Sequence, residues 1–186
     1  PEMERLFTAS PSVRRGFIDR ITYSFDQTIL FKTNTYNKLL KERYNIIQAY
    51  NFDSIWLDKI EEKIADLGIE IIKKRDMSIK MINKMFNIVS SKITINKCSV
   101  RLIGYIDEII LKNTTKISKK KYIIKLKNSR NEDRIKGGCK IGPNKSDIEI
   151  TYLKNNTEAS FCSTGQQKEI ILNILLCQAY CLINIF

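Results

Sequence analysis

The stretch "LDKIEEKIADLGIEIIKKRDMSIKMINKMFNIV", residues 57–89, holds the clearest periodicity in the chain. Leu57, Ile60, Ile64, Leu67 and Ile71 advance by alternate steps of three and four, which places them on one stripe of an α-helix, as in a coiled-coil seam. The stripe then passes polar Arg75 and resumes at Ile79, Ile82, Phe86 and Val89. Two successive four-residue steps make a stutter, which locally relaxes a left-handed supercoil. Just upstream, Asn51-Phe52-Asp53 reads as a turn, with Asp53 or Ser54 placed to cap the helix. Before that turn, Ser10-Pro11 is a helix-start signal, an N-cap serine followed by proline at the first helical position. Val13, Phe17, Ile21 and Phe25 then recur at four-residue steps. Tyr36, Leu40, Ile47 and Tyr50 continue the pattern after a Thr/Asn-rich weak spot at residues 33–35. Two long helices joined by so short a turn run antiparallel, so residues 17–92 predict a helical hairpin. Half of a four-helix bundle has the same periodicity.

Beyond the hairpin the pattern changes. Ile93, Ile95, Val100 and Leu102 suggest an extended segment, broken by Gly104, and residues 105–112 a short helix. Residues 119–134 have helical character. Ile148, Ile150 and Tyr152 alternate as a strand, Asn155-Asn156 makes a turn, and the chain returns through Phe161. "SFCSTGQQKEIILNILL", residues 160–176, then reads as a small-residue turn opening an apolar helix. The run at residues 170–186 carries Asn173, Gln178 and Asn184 and lacks the length and purity that spanning a bilayer needs, so a buried helix and no membrane are expected.

Composition narrows the function. Lys and Arg total 32 against 20 Asp and Glu, a net charge of +12, and residues 112–145 hold ten Lys, Arg130 and Arg134 against Glu132 and Asp133. A surplus of this size suits a polyanion such as nucleic acid. A chain crowded with Ile, Lys and Asn acquires the same surplus from an AT-rich genome. Five cysteines, no His and no Cys pair at metal-ligand spacing exclude a conventional zinc site, and no metal ligand is assigned. The odd count fits reduced thiols in a cytoplasmic protein, with Cys177 and Cys181 in a core. Without His the usual general base is missing. "GGCKIGPNKS" spaces Gly137 and Gly142 as a phosphate-binding loop does. Pro143, however, stands where the lysine belongs and has no N–H to offer a phosphate. No catalytic residue is assigned, and the chain alone is not expected to hydrolyse ATP.

A different anion site remains. The first amides of a helix have no intrahelical acceptor and carry partial positive charge. At the start of the last helix, Ser163 offers a cap or a hydroxyl, Gly165 lets a ligand approach the backbone, and Gln166 offers an amide. An ordinary helix cap accounts for the same residues.

Four blocks decide between these readings: "PEMERLFTASPSVRRGFID", "YNKLLKERYNII", "IGPNKSDIEI" and "CSTGQQKEIILNILLCQA". In this order and at these separations they resemble the RecF family of bacterial ABC/SMC-type ATPases, and the chain is similar to the middle of such proteins. The resemblance implies an α+β, mostly helical fold: an antiparallel helical arm joined to a partial ATPase head containing a β-hairpin and the signature helix. It implies head segments at residues 1–16 and 137–186 and an arm at 17–136. By position, the family's signature motif falls on Ser163, Thr164, Gly165, Gln166 and Gln167, which would meet ATP held by another subunit, so that two heads dimerise around nucleotide. ATP and Mg2+ are implied for the whole protein, with neither bound by this stretch alone, because the phosphate-binding loop and magnesium segments of the family are not in it. The family acts on single-stranded or gapped DNA with RecO and RecR in recombinational repair. Candidate DNA contacts are Arg14, Arg15, Lys119, Lys120, Lys121, Arg130 and Arg134. Asn144 stands where the family has histidine, and Cys162 where a hydrophobic residue is common. The chain thus reads as a piece of something longer. Two further readings are a non-enzymatic basic coiled-coil protein that binds nucleic acid, and an inactive truncated gene product.

Overall fold

The computed structural model describes residues 6–49 and 53–185. Pro1, Glu2, Met3, Glu4 and Arg5 of the first family block, Tyr50, and Asn51 and Phe52 of the expected turn lie outside the described residues, as does Phe186. In chain order the elements are α1 (Pro11–Phe25), α2 (Thr28–Gln48), α3 (Ser54–Ser90), β1 (Cys98–Ile103), α4 (Tyr105–Lys112), α5 (Thr115–Asn128), α6 (Arg130–Lys136), β2 (Asp147–Tyr152), β3 (Thr157–Glu158) and α7 (Thr164–Ile185). This is the α+β, mostly helical class expected. Helix α3 is 37 residues long, about 55 Å at 1.5 Å per residue.

Local chemistry explains most boundaries. Asp53 caps α3 as expected, its Oδ1 accepting the N–H groups of Ile55 at 2.8 Å and Trp56 at 3.1 Å. Ser10 precedes α1 with extended backbone and Pro11 follows at the first helical position, but its hydroxyl meets Ser12 Oγ at 2.7 Å and caps no amide. The carbonyl of Ser10 does the work, accepting from Val13 at 3.0 Å. The weak spot at residues 33–35 is helical within α2, and the break in this stretch lies at Asp26 and Gln27, between α1 and α2. Thr and Asn lower helix propensity only slightly, so packing of Ile29 and Tyr36 on either side carries the helix through.

The chain forms two compact units. One takes in the chain up to Asp26, residues 75–103, and the chain from Asp147 onward. Its sheet has the order β1-β2-β3, both pairs antiparallel, with Val100 opposite Ile150 and Leu102 opposite Ile148. Cys98, Val100, Leu102, Ile148, Ile150 and Tyr152 are buried while their neighbours are more exposed, the period-two alternation of a sheet covered on one face. Arg101 and Glu149 pair across the open face at 2.6 Å. Asn83 finishes the outer edge of β1: its Nδ2 donates to Val100 O at 2.7 Å and its Oδ1 accepts the Val100 N–H at 2.9 Å. A side-chain amide here replaces a missing strand. Helix α1 packs on β2 and α7, so early and late segments of the chain meet in this unit. The return predicted through Phe161 is shorter: β3 holds two residues, and Phe161 lies exposed in a 3-10 turn at Ala159–Phe161.

Helix α7 buries Ile170, Ile171, Ile174, Cys177 and Cys181. Its polar residues find partners, Asn173 Nδ2 donating to Asn96 O at 3.1 Å and Gln178 Nε2 to Ser24 Oγ at 2.8 Å. No helix among the described residues is long and apolar enough to cross a membrane. Arg75, the polar break in the α3 stripe, is buried, and its guanidinium forks onto Asp19 at 2.7 and 2.9 Å.

The other unit comprises residues 27–74 and 104–146, hence α2, the N-terminal part of α3, α4, α5 and α6. Helices α2 and α3 run antiparallel here, as the pairs Arg43–Glu61 and Lys32–Glu70 require. The buried face of α3 is wider than a two-residue seam, because Glu61, Ala65, Ile69 and Ile72 are buried beside Leu57, Ile60, Ile64 and Ile71. A stripe this broad faces several neighbours, as in a bundle, rather than one. This grouping divides the chain at different residues from the three-segment reading, placing the C-terminal part of α3 and β1 with the sheet.

Candidate functional site

Strand β3 leads through the 3-10 turn to Cys162, whose backbone is extended, and α7 begins two residues later. Ser163 and Gln166 form a reciprocal capping box. The Ser163 N–H donates to Gln166 Oε1 at 2.9 Å, and the Gln166 N–H donates to Ser163 Oγ at 3.3 Å. The Gln167 N–H meets Ser163 O at 2.8 Å, closing the first helical turn. Thr164 and Gly165 keep amides that a helix leaves without an intrahelical acceptor. Ser163, Thr164 and Gly165 are exposed, and a Cβ built on Gly165 would meet nothing within 4 Å. The turn is open to an incoming group.

Gln167 faces the other way. It is buried, and its Nε2 donates to Ala159 O and Cys162 O, both at 3.1 Å, with Ser160 O at 3.4 Å. It ties the approach loop to the helix and thereby sets the position of Ser163. The sequence signal for this role was available only as a second glutamine beside the first. Beside the turn lies a cleft of about 250 Å³ lined by Phe7, Arg14, Asp147, Glu149, Glu158 and Ser160 among others. Three carboxylates against one guanidinium make it unsuitable for a phosphate.

The candidate DNA contacts separate by partner. Arg14 forks onto Asp147, Nε to Oδ1 and Nη2 to Oδ2, both at 2.7 Å, while Nη1 donates to Ala9 O at 2.6 Å. Arg15 is half-buried, and burial, with Arg75 adding to it, lowers its pKa. Lys119 pairs with Asp66 at 2.8 Å, and Arg130 with Asp58 at 2.5 Å and Glu61 at 2.6 Å. Lys121 donates to Asn113 Oδ1, at 3.3 Å. Lys120 and the Arg134 side chain are exposed. Asn144, in the family's histidine position, accepts from Tyr36 Oη at 3.2 Å and donates to Cys139 O at 3.0 Å, so both ends of its amide hold the surrounding turn.

The cysteines are all free and buried. Burial pushes Cys98 and Cys177 up to about 12 and Cys139 to about 11, which leaves them protonated and poor nucleophiles. Among the described residues no cluster of Cys, Asp and Glu could hold a metal ion.

Two carboxylates link this region to pH. Burial alone would raise Asp147, but the hydrogen bonds from Arg14 and the Ile148 N–H outweigh it and hold the pKa below its ordinary value. Burial opposes Glu169 likewise, and hydrogen bonds from Asn96 and Tyr152 prevail. A depressed carboxylate stabilises the fold above its unfolded pKa of about 4 and loses that contribution as pH falls through the folded value. The urea midpoint is therefore expected to hold steady from pH 7 to about 5 and to fall below about 4. Asp147→Asn should lower the neutral plateau and flatten part of the acid slope. An unchanged slope would remove Asp147 from this account.

The comparisons bear on the whole chain. No protein-family model matches it. It is 34% identical over 178 residues to the DNA replication and repair protein RecF of Rickettsia prowazekii, covering 96% of this chain and 49% of that protein. The RecF of Agrobacterium fabrum is 28% identical over 179 residues, with 96% and 47% covered. Over nearly its whole length the chain is similar in sequence to RecF proteins. It spans about half the length of the RecF proteins it matches. The fold agrees: a solved recombination mediator protein RecF with ATPrS superposes with a TM-score of 0.82 at 22% identity, over 98% of this chain and 49% of that one. A second RecF structure, with ATP, gives 0.78 at 21% identity, over 96% and 48%.

Proposed function

We propose that this chain is the part of a RecF-type recombination mediator that carries the arm and offers Ser163, Thr164, Gly165 and Gln166 to ATP bound on a second subunit. The observation that carries the reading is the open turn, with two amides lacking helical acceptors and a glycine that nothing shields. Gln167 is assigned the supporting role its buried amide indicates. The unit built on residues 27–74 and 104–146 is the proposed arm, and the sheet-bearing unit the proposed share of the head. ATP and Mg2+ are held by head segments outside this chain. Dimerisation follows nucleotide binding, and hydrolysis, where it occurs, belongs to the closed dimer. The protein works in the cytoplasm at single-stranded or gapped DNA, with RecO and RecR, in recombinational repair and the SOS response.

Long-range attraction to phosphates needs net charge rather than unpaired side chains, so the +12 supports sequence-independent DNA binding. Direct contacts are assigned to Lys120, Lys121 and Arg134, since Arg14, Lys119 and Arg130 are engaged by carboxylates. The basic DNA-coating alternative differs in one respect, indifference to nucleotide.

A hybrid tests both parts: this chain substituted for the matched half of the Rickettsia prowazekii RecF. Light scattering should show dimers with ATP, weakened by about tenfold or more in Gly165→Asp with melting unchanged, because the site is exposed, and in Ser163→Arg with a stability loss no greater than the about 1 kcal/mol of a lost cap. Dimerisation unaffected by either change would sink the assignment of the turn. Replacing Lys120, Lys121 and Arg134 by Gln should reduce the salt slope of single-strand binding by about 2.

A further inference from the structure

Helix α5 is unusual in which face it leaves to solvent. It buries Ser118, Tyr122 and Leu126 on one side. On the other it exposes Ile117 and Ile124, 46% and 45% accessible, seven residues apart and so two turns along one stripe, with Lys120 and Lys121 between them. The helix holds six lysines and no carboxylate.

Beside this stripe runs a groove of about 480 Å³ between α5 and the N-terminal part of α3, lined by Glu62, Lys116, Lys119, Lys120, Ile123 and Ile124, with Lys127 at its end. Two ion pairs join its lysines to α3, Asp58–Lys127 at 2.6 Å and Asp66–Lys119 at 2.8 Å. These pairs fix the antiparallel register of α3 and α5 and turn Lys119 and Lys127 toward the α3 wall. Among the described residues Lys116 and Lys120 make no such pair, and both stand exposed on the α5 wall. An apolar strip bordered by unneutralised ammonium groups is therefore held on a rigid helix pair.

We infer that this groove docks an acidic amphipathic helix of a partner protein. The occupant needs carbon to cover Ile117, Ile123 and Ile124 and carboxylates to meet Lys116 and Lys120. The two-turn spacing of the exposed isoleucines matches apolar residues recurring at i, i+3 or i+4, and i+7 on a helix. A nucleic-acid strand satisfies the lysines, but its phosphates bring nothing apolar to the isoleucines. The inference thus goes beyond the DNA reading, which uses Lys120 and Lys121 and has no need of an apolar strip. Glu62, in the middle of the α3 wall, marks the one place where an acidic occupant is repelled.

The test uses the full chain and a fluorescein-labelled helical peptide with a leucine stripe flanked by glutamates, followed by anisotropy. Binding is expected to fall about tenfold in the double variant Ile117→Ser, Ile124→Ser, severalfold in Lys120→Gln, and to rise severalfold in Glu62→Gln. A lysine-flanked version of the peptide should not bind. All four positions are exposed, so melting should be unchanged, which separates lost docking from lost folding. The inference is overturned by peptide binding that ignores the isoleucines, or by absence of binding. It is equally overturned if a labelled single-stranded oligonucleotide loses as much affinity as the peptide in the isoleucine variant. Concentration-dependent self-association abolished by that variant would assign the groove to a second copy instead, and also overturn it. None of these outcomes touches the nucleotide-dependent dimerisation of the hybrid.

Discussion

Gly142→Ala is expected to cost on the order of 2–5 kcal/mol of folding stability, combining overpacking with a left-handed backbone. Gly142 has φ +113°, and a Cβ there would stand 2.0 Å from Tyr122 Oη and 2.3 Å from Tyr36 Oη. Neither ring can step aside. Both tyrosines are fully buried, their hydroxyls share a 2.8 Å hydrogen bond, and Gly68 also lies against Tyr122, where a Cβ would meet the ring at 2.7 Å. Gly138 provides the control. Its φ is +76°, but a Cβ there meets nothing within 4 Å, so Gly138→Ala isolates the backbone share, about 1–2 kcal/mol. The difference between the two urea-derived stabilities is the packing share. Equal losses would mean that the tyrosine cage yields. Tyr122→Phe in the Gly142→Ala background should recover part of the loss, since it removes the nearest atom.

The second large effect centres on Arg43, the largest fully buried side chain among the described residues. Its Nε donates to Glu61 at 2.9 Å, Nη1 to Asp133 at 2.6 Å, and Nη2 to Leu126 O at 2.8 Å. Arg43→Met strands two buried carboxylates, a change that typically costs 3–5 kcal/mol. The lower end, about 3 kcal/mol, is expected here because each carboxylate keeps another partner. Arg130 stays on Glu61 at 2.6 Å, and Ser129 Oγ and the Lys140 N–H stay on Asp133 at 2.7 and 3.1 Å. Adding Glu61→Gln and Asp133→Asn to Arg43→Met should restore more than half the loss, because neutral amides no longer require a counter-charge. Arg43→Lys should not rescue, since one ammonium cannot reach three acceptors in different directions. A triple variant no better than Arg43→Met would show that packing, and not charge, dominates at this position.

The unequal fates of the charged residues show where reading a sequence stops. Periodicity identifies the face of a helix and so identified Leu57, Ile60, Ile64 and Ile71. It could not tell that Glu61 and Arg75 also turn inward, because a charged residue is buried only when another element supplies its counter-charge. Their partners are Arg43 and Asp19, 18 and 56 positions away. The same limit applied to Arg14, a candidate DNA contact, whose partner Asp147 is 133 positions off. Lys120 and Arg134 were named on the same grounds, and their surroundings left them exposed.

The candidate turn divides likewise. Residue types alone disclosed a helix start at Ser163 and a glycine permitting close approach, since caps and first-turn amides depend on neighbours within four positions. That Gln166 faces its own cap while Gln167 braces the preceding loop was decided by the path of the chain through Ala159 and Cys162. By itself, then, the amino-acid order determined the helices, the alternating strands, the cap at Asp53 and the likeness to RecF proteins, each of which is written in short-range spacing or in blocks of adjacent residues. Only the tertiary structure decided which charges are spent on one another, which glycine is caged, and which face of α5 stays uncovered. Those outcomes depend on what distant segments bring to a shared place, and no local period encodes that.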